Sequence, residues 1–125
     1  LRITEKLKQH LYVLKNNMIT QEQIKIFKKS ADAVYSSGDY TSATILYFKT
    51  WFAINDYVLL KRLGYSPKDH TERFKILKRE IPEDYNDLDL EFSTYRDTYS
   101  KIISKDTCDR IKRLVENAIK KYKIE

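Results

Sequence analysis

Two side chains in this sequence are best suited to meeting an anion: His70 and Arg96. A guanidinium suits a phosphate because it presents a planar, permanently charged set of donors. Arg96 is the only cation between Glu80 and Lys101, and it lies beside Tyr95 and Tyr99. His70 falls in the first turn of a predicted helix, where free backbone amides favour negative charge. Imidazole also titrates near neutral pH. Each residue has a structural alternative. Arg96 is expected to be held by Asp97 or Glu91, whose charges would weaken its pull on a polyanion. His70 shares a stripe with Phe74 and Leu77, which predicts a partly buried histidine packed beneath Phe74.

Other chemistries lack their residues. No Walker loop, dinucleotide glycine pattern, His-Glu-x-x-His or metal-ligand cluster occurs. With one cysteine and two histidines, a structural zinc site is excluded in a monomer, and no cofactor is expected. Cys108 would need His10 or His70 beside it to act as a nucleophile, but it sits on an apolar stripe and reads as a core thiol. The acidic run Glu83, Asp84, Asp87, Asp89 and Glu91 reads as solvated charge at the positive end of a helix rather than as metal ligands. Lys25, Lys28 and Lys29 read as a solvated face. Lys120, Lys121 and Lys123 fall where a helix C-terminus favours cations. Neither lysine set is interleaved with many exposed aromatics, as a single-strand stacking platform would be.

Composition narrows the scaffold that must position these groups. A chain of 125 residues with only two Gly and two Pro has one domain's length and few turn residues, which favours long helices. No apolar run reaches the ~18 residues of a membrane span, nothing reads as a signal peptide, and a single cysteine fits a reducing, cytoplasmic compartment. The formal charge is +6, unevenly placed. Residues 1–37 hold seven Lys/Arg against three acids, residues 100–125 hold eight against four, and residues 83–99 hold six acids against Arg96 alone. Such a basic protein with one acidic element is expected to have an anionic partner and an internal or intermolecular charge match.

Periodicity predicts six helical segments. A helix over 2–17 carries the stripe Ile3, Leu7, Leu11, Leu14 and Met18. Thr20 and Gln23 form a capping box, stapled by Ile19 and Ile24, that opens a second helix ending at Ser36-Ser37-Gly38. Asp39 caps a third helix over 40–63. It is apolar on nearly all sides and therefore central, and Gly64 stops it. Ser66 is predicted to cap a fourth helix over 67–80 with Pro67 in its first turn. Pro82 ends it. A fifth helix over 84–102 carries Tyr85, Leu88, Phe92, Tyr95, Tyr99 and Ile102. Ser104 opens a sixth over 105–122. The predicted architecture is all-α: an antiparallel up-and-down bundle of about five helices plus an N-terminal helix, one domain over 1–125 with residues 1–19 added to a core over 20–122. Ser37 to Ala43 resembles a tetratricopeptide turn, but nothing repeats at the 34-residue period, which excludes a solenoid.

The order of motifs resembles the HEPN superfamily, in its small stand-alone branch. The matching residues are Gly38-Asp39-Tyr40 with Ala43, Tyr47-Phe48 and Phe52-Ala53, Leu59-Leu60, Gly64, Pro67, His70, Phe74, and Arg96-Asp97-Thr98-Tyr99. The resemblance spans about residues 20–122. It implies a helical bundle, commonly dimeric, that binds nucleotides or RNA. Many members are metal-independent ribonucleases, and several work in toxin–antitoxin or defence pairs. Those ribonucleases carry Arg, four to six residues, then His. Here no His follows Arg96, so the resemblance supports binding more than catalysis.

The leading expectation is thus a nucleotide- or RNA-binding module with Arg96, His70, Tyr99 and Tyr47 at its site. Its expected partners are a second copy of itself and a nucleotidyltransferase or antitoxin protein, with no membrane association. Metal-free RNA cleavage at a dimer interface is the first alternative. It needs a base, an acid and a cation, with His70 and Arg96 as candidates. A non-catalytic interaction bundle is the second.

Overall fold

The computed structural model describes residues 4, 5, 7, 8 and 19–125. The predicted helix over 2–17, with His10, lies almost wholly outside the described residues. Elsewhere the chain is helical throughout, with five helices and no strand among the described residues. They are α1 (Gln21–Ser36), α2 (Tyr40–Leu63), α3 (His70–Glu80), α4 (Pro82–Asp97) and α5 (Lys105–Lys121). None is long and apolar enough to cross a membrane.

Local sequence sets most helix ends. The Thr20 hydroxyl accepts from the Gln23 amide at 3.2 Å, and the Gln23 side chain accepts from the Thr20 amide at 2.9 Å, which is the expected capping box. Asp39 caps α2 through the Ser42 amide at 3.0 Å, and Ser104 caps α5 through Thr107 at 3.2 Å. Gly64 closes α2 in the left-handed region, at φ +83°, where any side chain would be strained.

Helix α2 is the hub and packs against each of the other four helices. Tyr47, Phe48, Ile54 and Leu59 are fully buried along it. Its two buried threonines, Thr44 and Thr50, turn their hydroxyls back onto the carbonyls of Tyr40 and Leu46, which satisfies them without a tertiary partner.

Two boundaries differ from expectation. Helix α3 begins at His70, capped by Asp69 rather than Ser66. The Asp69 carboxylate accepts from the Glu72 amide at 2.8 Å, and its charge also suits the helix N-terminus. Helix α4 ends at Asp97, not near 102. The Thr98 hydroxyl donates to the Tyr95 carbonyl at 2.6 Å, competing with helix continuation. The Ile103 amide then donates to the Thr41 hydroxyl at 2.8 Å, which ties the connection to α2. Tyr99 and Ile102 consequently leave the predicted apolar stripe and are 74% and 95% exposed. Ile81 is both the C-cap of α3 and the N-cap of α4, so those helices join through this single residue with no longer loop.

Candidate nucleotide-binding site

Phe48, Phe52 and Asp56 recur every fourth residue along one face of α2. Against that face stand His70 and Arg73 from the first turn of α3, and Phe92, Tyr95 and Arg96 from the last turns of α4. The His70 ring meets Phe52 edge-on with centroids 4.7 Å apart, Phe92 at 5.5 Å and Tyr95 at 5.6 Å. Phe74 packs on Phe92 at 4.8 Å. His70 therefore sits among Phe52, Phe92 and Tyr95 rather than beneath Phe74, which corrects the sequence expectation.

Behind this aromatic cluster lies an ion pair. Arg73 is only 8% exposed. Its Nε and Nη2 donate to the two Asp56 carboxylate oxygens at 2.7 and 2.8 Å, and its Nη1 lies 2.6 Å from His70 Nδ1. The guanidinium also stacks over Phe52 at 4.9 Å. This side-on bidentate geometry is the strongest form of the Arg–carboxylate contact. Burial, followed by the Arg73 charge, holds the His70 imidazole below its ordinary pKa.

Arg96 is exposed and lies over the Phe92 ring, 5.9 Å from its centroid. It has no carboxylate partner among the described residues. The two acids expected to hold it are engaged elsewhere: Asp97 pairs with Lys101 at 3.3 Å, and Glu91 takes Arg110 at 2.9 and 3.0 Å. His70 and Arg96 thus meet the same ring, Phe92, from two helices. Tyr99 extends the cluster outward, its ring 5.5 Å from Tyr95 and the two hydroxyls 2.7 Å apart. Burial and that hydrogen bond push the Tyr95 phenol up to about 12.

Tyr47 does not join this group. It is fully buried, and its hydroxyl donates to Asp32 of α1 at 2.6 Å. Its ring packs edge-on to Tyr35 at 6.4 Å, so its role is in the α1–α2 contact. The anion position expected at the start of α3 is also altered, because the Asp69 carboxylate already takes one of the amide donors.

Cys108 follows its structural reading, whereas Lys28, Asp84 and Glu91, expected as solvated charges, are largely covered, their side chains 18%, 11% and 11% exposed. Cys108 is buried, and burial raises its thiol pKa. Much of the acidic run is matched internally by α5: Asp84 accepts from Lys121 at 2.7 Å and from the Tyr122 hydroxyl, while Glu91 holds Arg110. No metal-binding cluster occurs among the described residues. A groove of about 620 Å³ lies between α1 and α5, lined by Lys25, Lys28, Lys29 and Lys120 over Ile24 and Ile119. It is distinct from the aromatic cluster, and its central lysine, Lys28, is bound to Asp32 and Glu116 at 2.7 and 3.2 Å.

Sequence reasoning missed Arg73 and Asp56. A signal was present: Asp56 is the only acid between Asp39 and Asp69, set in a helix apolar on nearly every side. A carboxylate there requires a cation, and Arg73, one helical turn after His70, is placed to share it. Comparison with known protein families, characterised proteins and solved structures gives no match.

Proposed function

We propose that this chain is a HEPN-like nucleotide- or RNA-binding module whose site is the exposed end of the aromatic cluster, with Arg96, His70 and Tyr99 as ligand-contacting residues. The observation that carries the reading is the meeting of His70 and Arg96 on Phe92, with Tyr99 exposed beside them. An aromatic surface offers a base a stacking partner, and an unpaired guanidinium offers its phosphate a planar donor set. In this reading the five helices form an antiparallel up-and-down bundle, extended by the N-terminal helix. The protein works in the cytoplasm as a homodimer, alongside a partner protein such as a nucleotidyltransferase or an antitoxin.

The test is titration of ATP and a fluorescent RNA oligomer into wild type, Arg96→Ala and His70→Ala, each fold checked by circular dichroism. Wild type is expected to bind, and each folded variant to bind more weakly. Equal binding by all three overturns the site. RNA cleavage by wild type in EDTA, lost in both variants, replaces the binding reading with the ribonuclease one. For the assembly, a 15 kDa species by light scattering at high micromolar concentration rules out the homodimer.

A further inference from the structure

The His70–Arg73 contact has only one chemical form. A guanidinium carries five N–H donors and no acceptor, and it keeps its proton under all protein conditions. Two of its nitrogens are committed to Asp56 at 2.7 and 2.8 Å. The third, Nη1, meets His70 Nδ1 at 2.6 Å, so Nδ1 must offer its lone pair. A neutral imidazole with an unprotonated Nδ1 carries its hydrogen on Nε2. A proton on Nδ1 would set N–H against N–H, and a doubly protonated ring would also set one cation against another. Among the described residues His70 Nε2 has no hydrogen-bond partner, and it is not among their buried unpartnered polar atoms, so none of them covers it.

We propose that Arg73, anchored by Asp56, is a positioning residue that locks His70 as the neutral Nε2–H tautomer, so that His70 meets its ligand as a hydrogen-bond donor to a phosphate oxygen. This rests on the binding reading above and gives it a chemistry. Locked in this form, His70 has no free nitrogen lone pair facing the ligand and cannot serve as the base for a 2′-hydroxyl. The permanent charge open to the ligand comes from Arg96, 5.9 Å from the Phe92 centroid. The remaining groups facing the imidazole leave this assignment intact. On α2, Asp56 favours protonation but is spent on Arg73. Before α3, Asp69 favours it from the helix cap. On α4, Tyr95 shares its hydroxyl with Tyr99, and Arg96 lies over the Phe92 ring at 5.9 Å. Phosphate binding should therefore be nearly indifferent to pH through the range where a free histidine gains charge.

The experiment has two arms. First, nitrogen-15 NMR of the free wild-type protein reads the tautomer directly. The expected spectrum shows His70 with unprotonated Nδ1 and protonated Nε2 as the single form at neutral pH. A protonated Nδ1, or a mixture of the two tautomers, overturns the proposal whether or not any ligand binds. Second, the dinucleotide ApA, a phosphodiester whose single charge does not change over the range, is titrated between about pH 5 and 8 into wild type and the double variant Asp56→Leu/Arg73→Met. That variant exchanges the ion pair for apolar groups, a replacement that folds tolerate. Wild-type affinity should change less than about twofold over the range. The double variant should show mixed tautomers and gain roughly fivefold at the acid end, as a freed His70 becomes a cation beside the phosphate. If wild type gains as much as the variant, the lock is wrong. If the NMR is as expected but ApA and RNA fail to bind wild type, the lock stands and the binding reading falls. Should the double variant not fold, the wild-type spectrum and pH profile still decide.

Discussion

Arg73 and Arg96 stand near the same aromatic cluster, yet they are opposite kinds of arginine. Arg73 is buried, bonded twice to Asp56 and once to His70, and stacked on Phe52. Arg96 is exposed, without a carboxylate partner among the described residues, and touches only the edge of the cluster through Phe92. A cation with all three nitrogens engaged holds the structure and fixes its neighbours' protonation. A cation with its donors open is available to something else. The difference comes from neighbours, because Asp56 faces Arg73 across α2 and α3 while Asp97 and Glu91 turn away to Lys101 and Arg110.

The sharpest way to break this contrast is to truncate Arg73. Arg73→Ala leaves the largely buried Asp56 without a counter-charge and should destabilise the fold by about 3–5 kcal/mol, since removing one partner of a buried pair strands the other. Urea denaturation measures it, and a loss below about 1 kcal/mol would show that Asp56 is satisfied without Arg73. Protonating His70 disturbs the same assembly from one side only, so it should cost less. The folded-state pKa of His70 lies below its ordinary value of about 6.5, so between those two values the unfolded chain binds the proton more readily. This contribution to stability is complete above about pH 6.5 and is lost as the pH falls towards the folded pKa. Denaturation midpoints of wild type and His70→Gln, compared across that window, should converge on acidification. Thr20→Ala removes one half of the capping box and should cost about 1 kcal/mol without altering ligand binding. An unchanged midpoint would show that the cap does not hold α1. Arg96→Ala should change stability least, by under about 1 kcal/mol, while weakening RNA or nucleotide binding most. A large stability loss would place Arg96 with Arg73 as a structural residue.

The parts of the fold written in short-range grammar were legible. Thr20 with Gln23, Asp39 with Ser42, Ser104 with Thr107 and the left-handed Gly64 each act within four residues, so spacing alone predicts them. Asp69 displaced Ser66 because two capping residues three apart compete, and the competition turns on how the chain enters the helix. Tyr99 and Ile102 continue a regular apolar spacing, but the helix that would have buried them stops at Asp97. Periodicity describes a surface only for as long as the helix persists. In the candidate site, His70 and Arg96 are legible as separate candidates, but their shared contact with Phe92 is not, and neither is Arg73 with Asp56. Their contact joins residues seventeen apart on different helices, and no local pattern announces it. Tyr47 was misplaced for the converse reason: neighbours in sequence on a buried helix point to different partners, and Tyr47 faces α1 while Phe48 faces Tyr95.

The loopless junction at Ile81 gives the α3–α4 pair the mechanics of a drawing compass. His70 lies eleven residues before Ile81 and Phe92 eleven after it, so each arm is about 16 Å of helix at 1.5 Å per residue. The rings at the two tips stand 5.5 Å apart. With no slack at the pivot, an angular change of about 5° displaces one tip from the other by roughly 1.4 Å over such an arm. That is enough to separate rings whose attraction depends on near contact. The spacing of His70 from Phe92 therefore gauges the angle at Ile81, and a substitution at the pivot, far from any ligand, should be felt at the tips.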